Sequence, residues 1–200
     1  MNFYQELTFV SNAEVNLGFI WEKVFQQLHI TLVENKIGVN ESAIGFSFVT
    51  YGVHQFPLGN KLRLFANSEN ELVKLDIHEC LKRLNDYCHV GFIKPVPADI
   101  KQYALFKRKI VKTIKSKAKR KAKYLNKPYD EVLSSLLKDG EPIKKKLPYI
   151  NVESLSTKKR FDQNVSYPFL LFIEQTLFDS PQDGSFDCYG LSKTATVPWF

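Results

Sequence analysis

The stretch Lys61-Leu62-Arg63-Leu64-Phe65-Ala66-Asn67-Ser68-Glu69-Asn70-Glu71-Leu72-Val73-Lys74-Leu75 holds a strand, a stop and a helix start. Lys61 to Phe65 follows the period of two that places alternate side chains on opposite faces of a strand, and the turn residues Gly59 and Asn60 stand just before it. Ser68 with Glu71 three positions later forms a capping-box pair, in which each side chain can satisfy a backbone N–H at the helix start. That signal opens a helix through Leu72, Leu75 and Leu81. Working outward toward the amino end, Ile44 to Val49 reads as a strand. The segment from about Ala13 to Leu32 reads as a helix with Ile20, Trp21, Val24, Phe25, Leu28 and Leu32 on one face, and Phe3 to Phe9 as a strand. Toward the carboxyl end, His89 to Lys94 supplies a further strand, closed by Pro95-Val96-Pro97. The order β-α-β-β-α-β is that of a ferredoxin-like four-stranded antiparallel sheet backed by two helices. Because this arrangement hosts many activities, it narrows function only weakly.

An α+β protein is therefore expected, with a ferredoxin-like domain at residues 1–97 and a smaller α/β domain at residues 98–200. The second part begins with a basic stretch, continues through a short helix around Asp130 to Leu137 and the Gly140-Glu141-Pro142 turn, and ends in several strands. With 44% hydrophobic and 14% aromatic residues among 200, the chain can bury a core. No run approaches the ~18 to 20 apolar residues of a membrane span, and the amino end lacks the layout of a secretory signal. A soluble, intracellular protein is expected. Cys80, Cys88 and Cys188 lack CxxC spacing, and His29, His54, His78 and His89 lack metal-ligand spacing, so reduced thiols and no metal site are expected.

Charge is distributed unevenly. Twelve of the 28 Lys and Arg residues, and none of the 21 acidic ones, lie between Ile100 and Tyr129. The remainder of the chain thus carries 16 basic residues against 21 acidic ones, a net of −5. Phe106, Ile110, Ile114, Ala118 and Ala122 recur every four residues through this stretch, predicting a lysine-rich helix over about 103–125 with one narrow apolar edge. Such a density of cations suits a polyanion, because each phosphate contact releases condensed counterions. The apolar edge fades to alanine, leaving little to insert among lipids. Lysine–phosphate contacts alone do not distinguish RNA from DNA.

The carboxyl end reads Phe186-Asp187-Cys188-Tyr189-Gly190-Leu191-Ser192-Lys193-Thr194-Ala195-Thr196-Val197-Pro198-Trp199-Phe200. Here the chain resembles the type I-F CRISPR repeat-processing endoribonucleases, whose carboxyl end has the form Phe-x-Cys-Tyr-Gly-Leu-Ser-Lys followed shortly by Val-Pro-Trp-Phe. Further matching segments are Leu28-His29, Ile44-Gly45-Phe46-Ser47-Phe48, Leu58-Gly59-Asn60-Lys61-Leu62-Arg63, Leu147-Pro148, Ser154-Leu155-Ser156-Thr157 and Phe161. They keep the family's order over nearly the whole chain. The resemblance implies binding of a CRISPR repeat hairpin in precursor crRNA, cutting at the base of its stem, and retention of the product with other protein subunits of a type I-F surveillance complex in a prokaryotic cytoplasm. It also implies catalytic roles for His29, for Ser154 at the ribose and for Tyr189 against the histidine. Ser156 and Phe161 would lie near the bound RNA end. Lys107 and Lys109 would read the lower stem, ahead of a helix following the major groove. Arg108, Lys112, Lys115, Lys119, Arg120 and Lys123 complete the expected RNA-binding set.

The chemistry is coherent without a cofactor. RNA carries its own nucleophile, the 2′-hydroxyl, so a nuclease need only align that group with the phosphorus and move protons. Histidine titrates near neutrality and can do so. Taken by residue type alone, His29 is an ordinary boundary residue beside Phe25 and Leu32, Ser154 a strand hydroxyl and Tyr189 a core ring. A non-catalytic hairpin-binding subunit and a DNA-binding polyanion clamp remain alternatives at this stage. The deep, narrow major groove of A-form RNA does not normally admit a helix, so a short stem, open at its ends, is the expected target. Val197 to Phe200 is expected to dock on the body, since burying a Trp and a Phe anchors an otherwise frayed end.

Overall fold

The computed structural model describes residues 1–12, 14–53, 56–111, 114–138, 147–153 and 168–200. The first strand, β1, is Phe3–Phe9, followed by helix α1 (Leu17–Glu34), strands β2 (Gly45–Phe48) and β3 (Lys61–Ala66), helices α2 (Glu69–Leu75) and α3 (Ile77–Cys80), and strand β4 (Cys88–Pro95). These strands form an antiparallel sheet of order β2-β3-β1-β4, the split β-α-β arrangement expected from the order of the elements. The Asn16 side chain accepts the Phe19 N–H at 3.0 Å and starts α1. At the start of α2 the Glu71 carboxylate accepts the Ser68 N–H at 2.9 Å, the return half of the expected capping box. All six apolar residues read onto one face of α1 are buried.

A second antiparallel sheet has the order β6-β7-β5-β8. It comprises β5 (Gln102–Lys109), β6 (Tyr149–Glu153), β7 (Pro168–Phe178) and β8 (Val197–Trp199); helices α4 (Ile114–Leu125) and α5 (Tyr129–Lys138) lie between β5 and β6 in the chain. Phe48 of β2 meets Phe106 of β5 edge-on at 5.1 Å, and Tyr51 Oη donates to the Ile173 carbonyl at 2.8 Å. One continuous apolar core therefore serves both sheets. The carboxyl end docks as expected: β8 pairs with β5, and the Phe200 ring lies edge-on to Tyr4 at 5.3 Å beneath the Arg63 guanidinium at 4.1 Å.

The expected basic helix over about 103–125 requires correction. Residues Gln102–Lys109 are a strand, and the helix begins only at Ile114. The cause lies in the spacing itself: residues four apart share a face in a strand of period two as well as in a helix of period 3.6. Pairing of β5 with β7 along Tyr103 to Lys109 decides for the strand, since it satisfies the backbone groups of the segment in a ladder. Phe106 accordingly belongs to the main core, whereas Ala118 and Ala122 form a separate small cluster with Val132, Leu133 and Leu136 of α5. Ile110 is 72% exposed and belongs to neither. The Gly140-Glu141-Pro142 turn and His54 lie outside the described residues.

Candidate active site and RNA-binding surface

Helix α1 and the turn at residues 187–191 build the site. Asp187 Oδ1 accepts the N–H groups of Tyr189 at 2.8 Å and Leu191 at 3.1 Å, while the Gly190 N–H returns to the Asp187 carbonyl at 2.9 Å. Gly190 has φ = 69°, a left-handed conformation that side-chain-bearing residues resist. The tight turn leaves two groups against α1, the Cys188 carbonyl and the Tyr189 ring. His29 Nδ1 lies 2.7 Å from that carbonyl oxygen. The Tyr189 ring lies flat on the imidazole, with centroids 3.9 Å apart and planes 3° from parallel, and is also stacked with Phe25 at 6.3 Å. Since Phe25 and His29 are four residues apart on a helix, one aromatic face covers both.

This hydrogen bond assigns the tautomer. A peptide carbonyl has no proton to give, so Nδ1 must donate, and in the neutral ring Nε2 then keeps its lone pair. Burial holds the His29 pKa below its ordinary 6.5, opposed by the bond to the Cys188 carbonyl and by the negative charge of Asp187. The imidazole is therefore chiefly neutral at pH 7, with its basic nitrogen directed away from the carbonyl. Burial raises the Asp187 pKa, opposed by the two backbone N–H bonds and by the charges of His29 and Arg108. Burial also raises the Tyr189 pKa, keeping the phenol protonated, although the Arg108 charge works against it.

A second connection ties β6 to the same helix. The Glu153 N–H donates to Gln26 Oε1 at 3.1 Å, and Gln26 stands three residues before His29. Ser154, the next residue in the chain, lies outside the described residues, as do Ser156, Phe161 and Lys112.

The expected RNA-binding residues divide into three groups. Lys107 and Lys109 both reach Glu174 on β7, with Nζ to carboxylate distances of 3.2 and 3.1 Å. Arg108, between them on the strand, takes the other face and sets its guanidinium 5.0 Å over the Phe169 ring. Lys115, Lys119, Arg120 and Lys123 are exposed on α4, not on a continuation of β5. His29 and Tyr189 are thus brought into contact, while the cations are spread over a strand and a separate helix.

Reading by residue type passed over Asp187, Phe25 and the Cys188 carbonyl. The FxCYG spacing is the one local signal for this turn, and a carbonyl's role is not written in its side chain. The three thiols are free. Burial pushes the Cys88 pKa up to about 12, so that thiol is no nucleophile. Among the described residues, no group of three His, Cys, Asp or Glu is placed to hold a metal ion, and no helix is long and apolar enough to cross a membrane.

A family model described as CRISPR-associated protein (Cas_Csy4) matches residues 4–200. The chain belongs to the Csy4 family. Among its relatives is the CRISPR-associated endonuclease Cas6/Csy4 of Escherichia coli strain UTI89, 29% identical over 201 residues, with 100% of each chain covered. The protein of the same description from Pseudomonas aeruginosa strain UCBPP-PA14 is 26% identical over 203 residues, again with 100% of both chains covered. For a Csy4 family member, the His29–Cys188–Tyr189 cluster is the natural place to seek the chemistry, because it joins the first helix to the terminal motif that carries the resemblance.

Proposed function

We propose that this protein is a CRISPR-associated endoribonuclease that binds the repeat hairpin of precursor crRNA and cuts it at the base of the stem without a metal ion. The supporting observation is the 2.7 Å bond from His29 Nδ1 to the Cys188 carbonyl, which leaves Nε2 as the basic atom of a neutral imidazole. In the proposed step Nε2 takes the proton of the 2′-hydroxyl, whose oxygen attacks the adjacent phosphorus. The bond from phosphorus to the 5′-oxygen breaks, the departing oxygen takes a proton from solvent water, and the imidazolium returns its own proton to solvent. The products are a 2′,3′-cyclic phosphate and a 5′-hydroxyl. Tyr189 holds the imidazole plane by stacking. Ser154 holds the ribose, a reading supported by the tie of its neighbour Glu153 to Gln26. Such proton transfer contributes ~100 to 10,000-fold in rate.

The basic side chains of α4, together with Lys107 and Lys109, are assigned to the hairpin backbone and lower stem, with Ser156 and Phe161 at the RNA end. Lys112 joins this set. The proposed division of labour places the ferredoxin-like unit at residues 1–97 and the RNA-binding unit at residues 98–200. The cut RNA stays bound as a component of a type I-F surveillance complex in the prokaryotic cytoplasm.

The test is cleavage of a type I-F-like repeat RNA by the purified protein in excess EDTA, beside the same RNA with 2′-deoxyribose at the nucleotide preceding the cut. Cutting of the all-ribose RNA alone is expected, as is loss of cutting with retained hairpin binding in His29→Ala. Cutting of both RNAs would rule out attack by the 2′-hydroxyl, and loss of binding in the variant would make His29 a structural residue.

A further inference from the structure

We infer that Arg108 is a catalytic residue whose guanidinium binds a non-bridging oxygen of the scissile phosphate, an assignment that rests on the endoribonuclease reading above and assigns a task that His29 and Tyr189 leave undone. Attack on phosphorus concentrates negative charge on the two non-bridging oxygens. The imidazolium formed in that step carries its charge at the 2′-oxygen and the protonated phenol is neutral, so neither is assigned to meet the charge on those two oxygens. Among the described residues, Arg108 is the fixed cation whose charge is felt at both Asp187 and Tyr189.

Strand geometry separates Arg108 from its basic neighbours. Successive side chains of β5 point to opposite faces. Lys107 and Lys109 go to the Glu174 carboxylate at 3.2 and 3.1 Å. Arg108 goes to the face carrying Phe169, with its guanidinium 5.0 Å over that ring. Phe169 in turn stands edge-on to Tyr189 at 6.5 Å, and Tyr189 lies on His29 at 3.9 Å. A continuous aromatic surface therefore runs from the cation to the base. An aromatic ring offers no oxygen acceptor, so this contact does not pair the guanidinium with an anion. Among the described residues, no carboxylate forms an ion pair with it. A guanidinium N–H gives a charge-assisted hydrogen bond to one non-bridging phosphate oxygen from a more rigid donor than a lysine ammonium. The same strand thus carries two carboxylate-paired lysines on one face and an arginine next to the catalytic surface on the other. Arg108 moves no proton; it holds charge while the bond to the 2′-oxygen forms and the bond to the 5′-oxygen breaks.

The experiment is single-turnover cleavage in EDTA at saturating protein, comparing wild type, Arg108→Gln and Arg108→Lys on RNA bearing either phosphorothioate diastereomer at the scissile phosphate. Loss of a preorganised charge contact costs ~100 to 1,000-fold in the chemical step. Arg108→Gln is expected to fall in that range on unmodified RNA, while hairpin affinity changes less than about tenfold, as for one lost phosphate contact. Arg108→Lys should recover part of the rate. One diastereomer should slow wild type and leave Arg108→Gln unaffected, because the contact that sulfur weakens is already gone. Rates for Arg108→Gln within a few-fold of wild type, or equal sulfur effects in both proteins, would overturn the assignment while leaving the endoribonuclease reading intact. Failure of wild type to cut any RNA would instead bring down that reading and this assignment with it.

Discussion

Replacing Gly190 with alanine tests whether the turn at residues 187–191 is what holds the site together. Two costs can be separated. At φ = 69° an added side chain enters the left-handed region, which costs about 1–2 kcal/mol. The new Cβ would also stand 2.3 Å from Phe46 Cγ and 2.5 and 2.6 Å from the flanking ring carbons, well inside van der Waals contact. Phe46 is 1% exposed and packed edge-on to Phe25 at 6.0 Å, so its ring has no room to retreat. Forcing extra volume into such a core costs about 1–3 kcal/mol more. Together the loss is about 2–5 kcal/mol, against a total stability of ~5–15 kcal/mol. Gly52 provides the control: its φ is 75°, but an added Cβ meets nothing within 4 Å, so Gly52→Ala should show the backbone cost alone. Urea unfolding of both variants reads the difference directly, and cleavage at a temperature where Gly190→Ala remains folded reads the site. Movement of the turn would pull the Cys188 carbonyl off His29, so Gly190→Ala should lose activity and Gly52→Ala should retain it. Equal destabilisation of the two variants would refute the ring clash, and full activity in Gly190→Ala would refute the turn's role in orienting the histidine.

Because burial lowers the His29 pKa, the rate should rise tenfold per pH unit in acid and level off with an inflection below 6.5. An inflection above 6.5 would show that the imidazolium is favoured instead. The same shift has a sign for stability: between the folded and unfolded pKa values the unfolded chain binds more protons, so this contribution is fully present above 6.5 and declines as pH falls through the folded pKa. Chemical denaturation at a series of pH values should lose that increment in His29→Gln, and an unchanged profile would remove His29 as its source. Neutralising Lys119, Arg120 and Lys123 together should flatten the plot of log affinity against log salt by about 2 to 3, near one unit per phosphate contact. An unaltered slope would take α4 out of the RNA interface.

Much of the first sheet was legible because its signals are local. Phe3–Phe9 carries its own alternation, α1 its own apolar stripe, and Ser68 with Glu71 a helix start whose return bond forms within four residues. His29 and Tyr189 were reached through a motif, not through their chemistry, since nothing in residue type distinguishes them from boundary and core residues. The basic stretch misleads for a physical reason. Gln102–Lys109 becomes a strand because β7 and β8, drawn from residues 168–178 and 197–199, complete its hydrogen bonds. No window around Phe106 contains those partners. Pairing of Lys107 and Lys109 with Glu174 is hidden in the same way, because the carboxylate arrives from another strand.

By itself the sequence determined which segments could be elements, which stretch carries the positive charge, and that the first helix and the carboxyl end hold the family motif. Periodicity, capping and charge density depend on residues a few positions apart. Tertiary structure alone decided that Phe106 belongs to a strand, that Arg108 faces Phe169 while its neighbours face Glu174, and that His29 donates to a carbonyl 159 residues away. Each of these depends on which backbone and side-chain groups a distant segment delivers, and that is set by the packing of two sheets on one core.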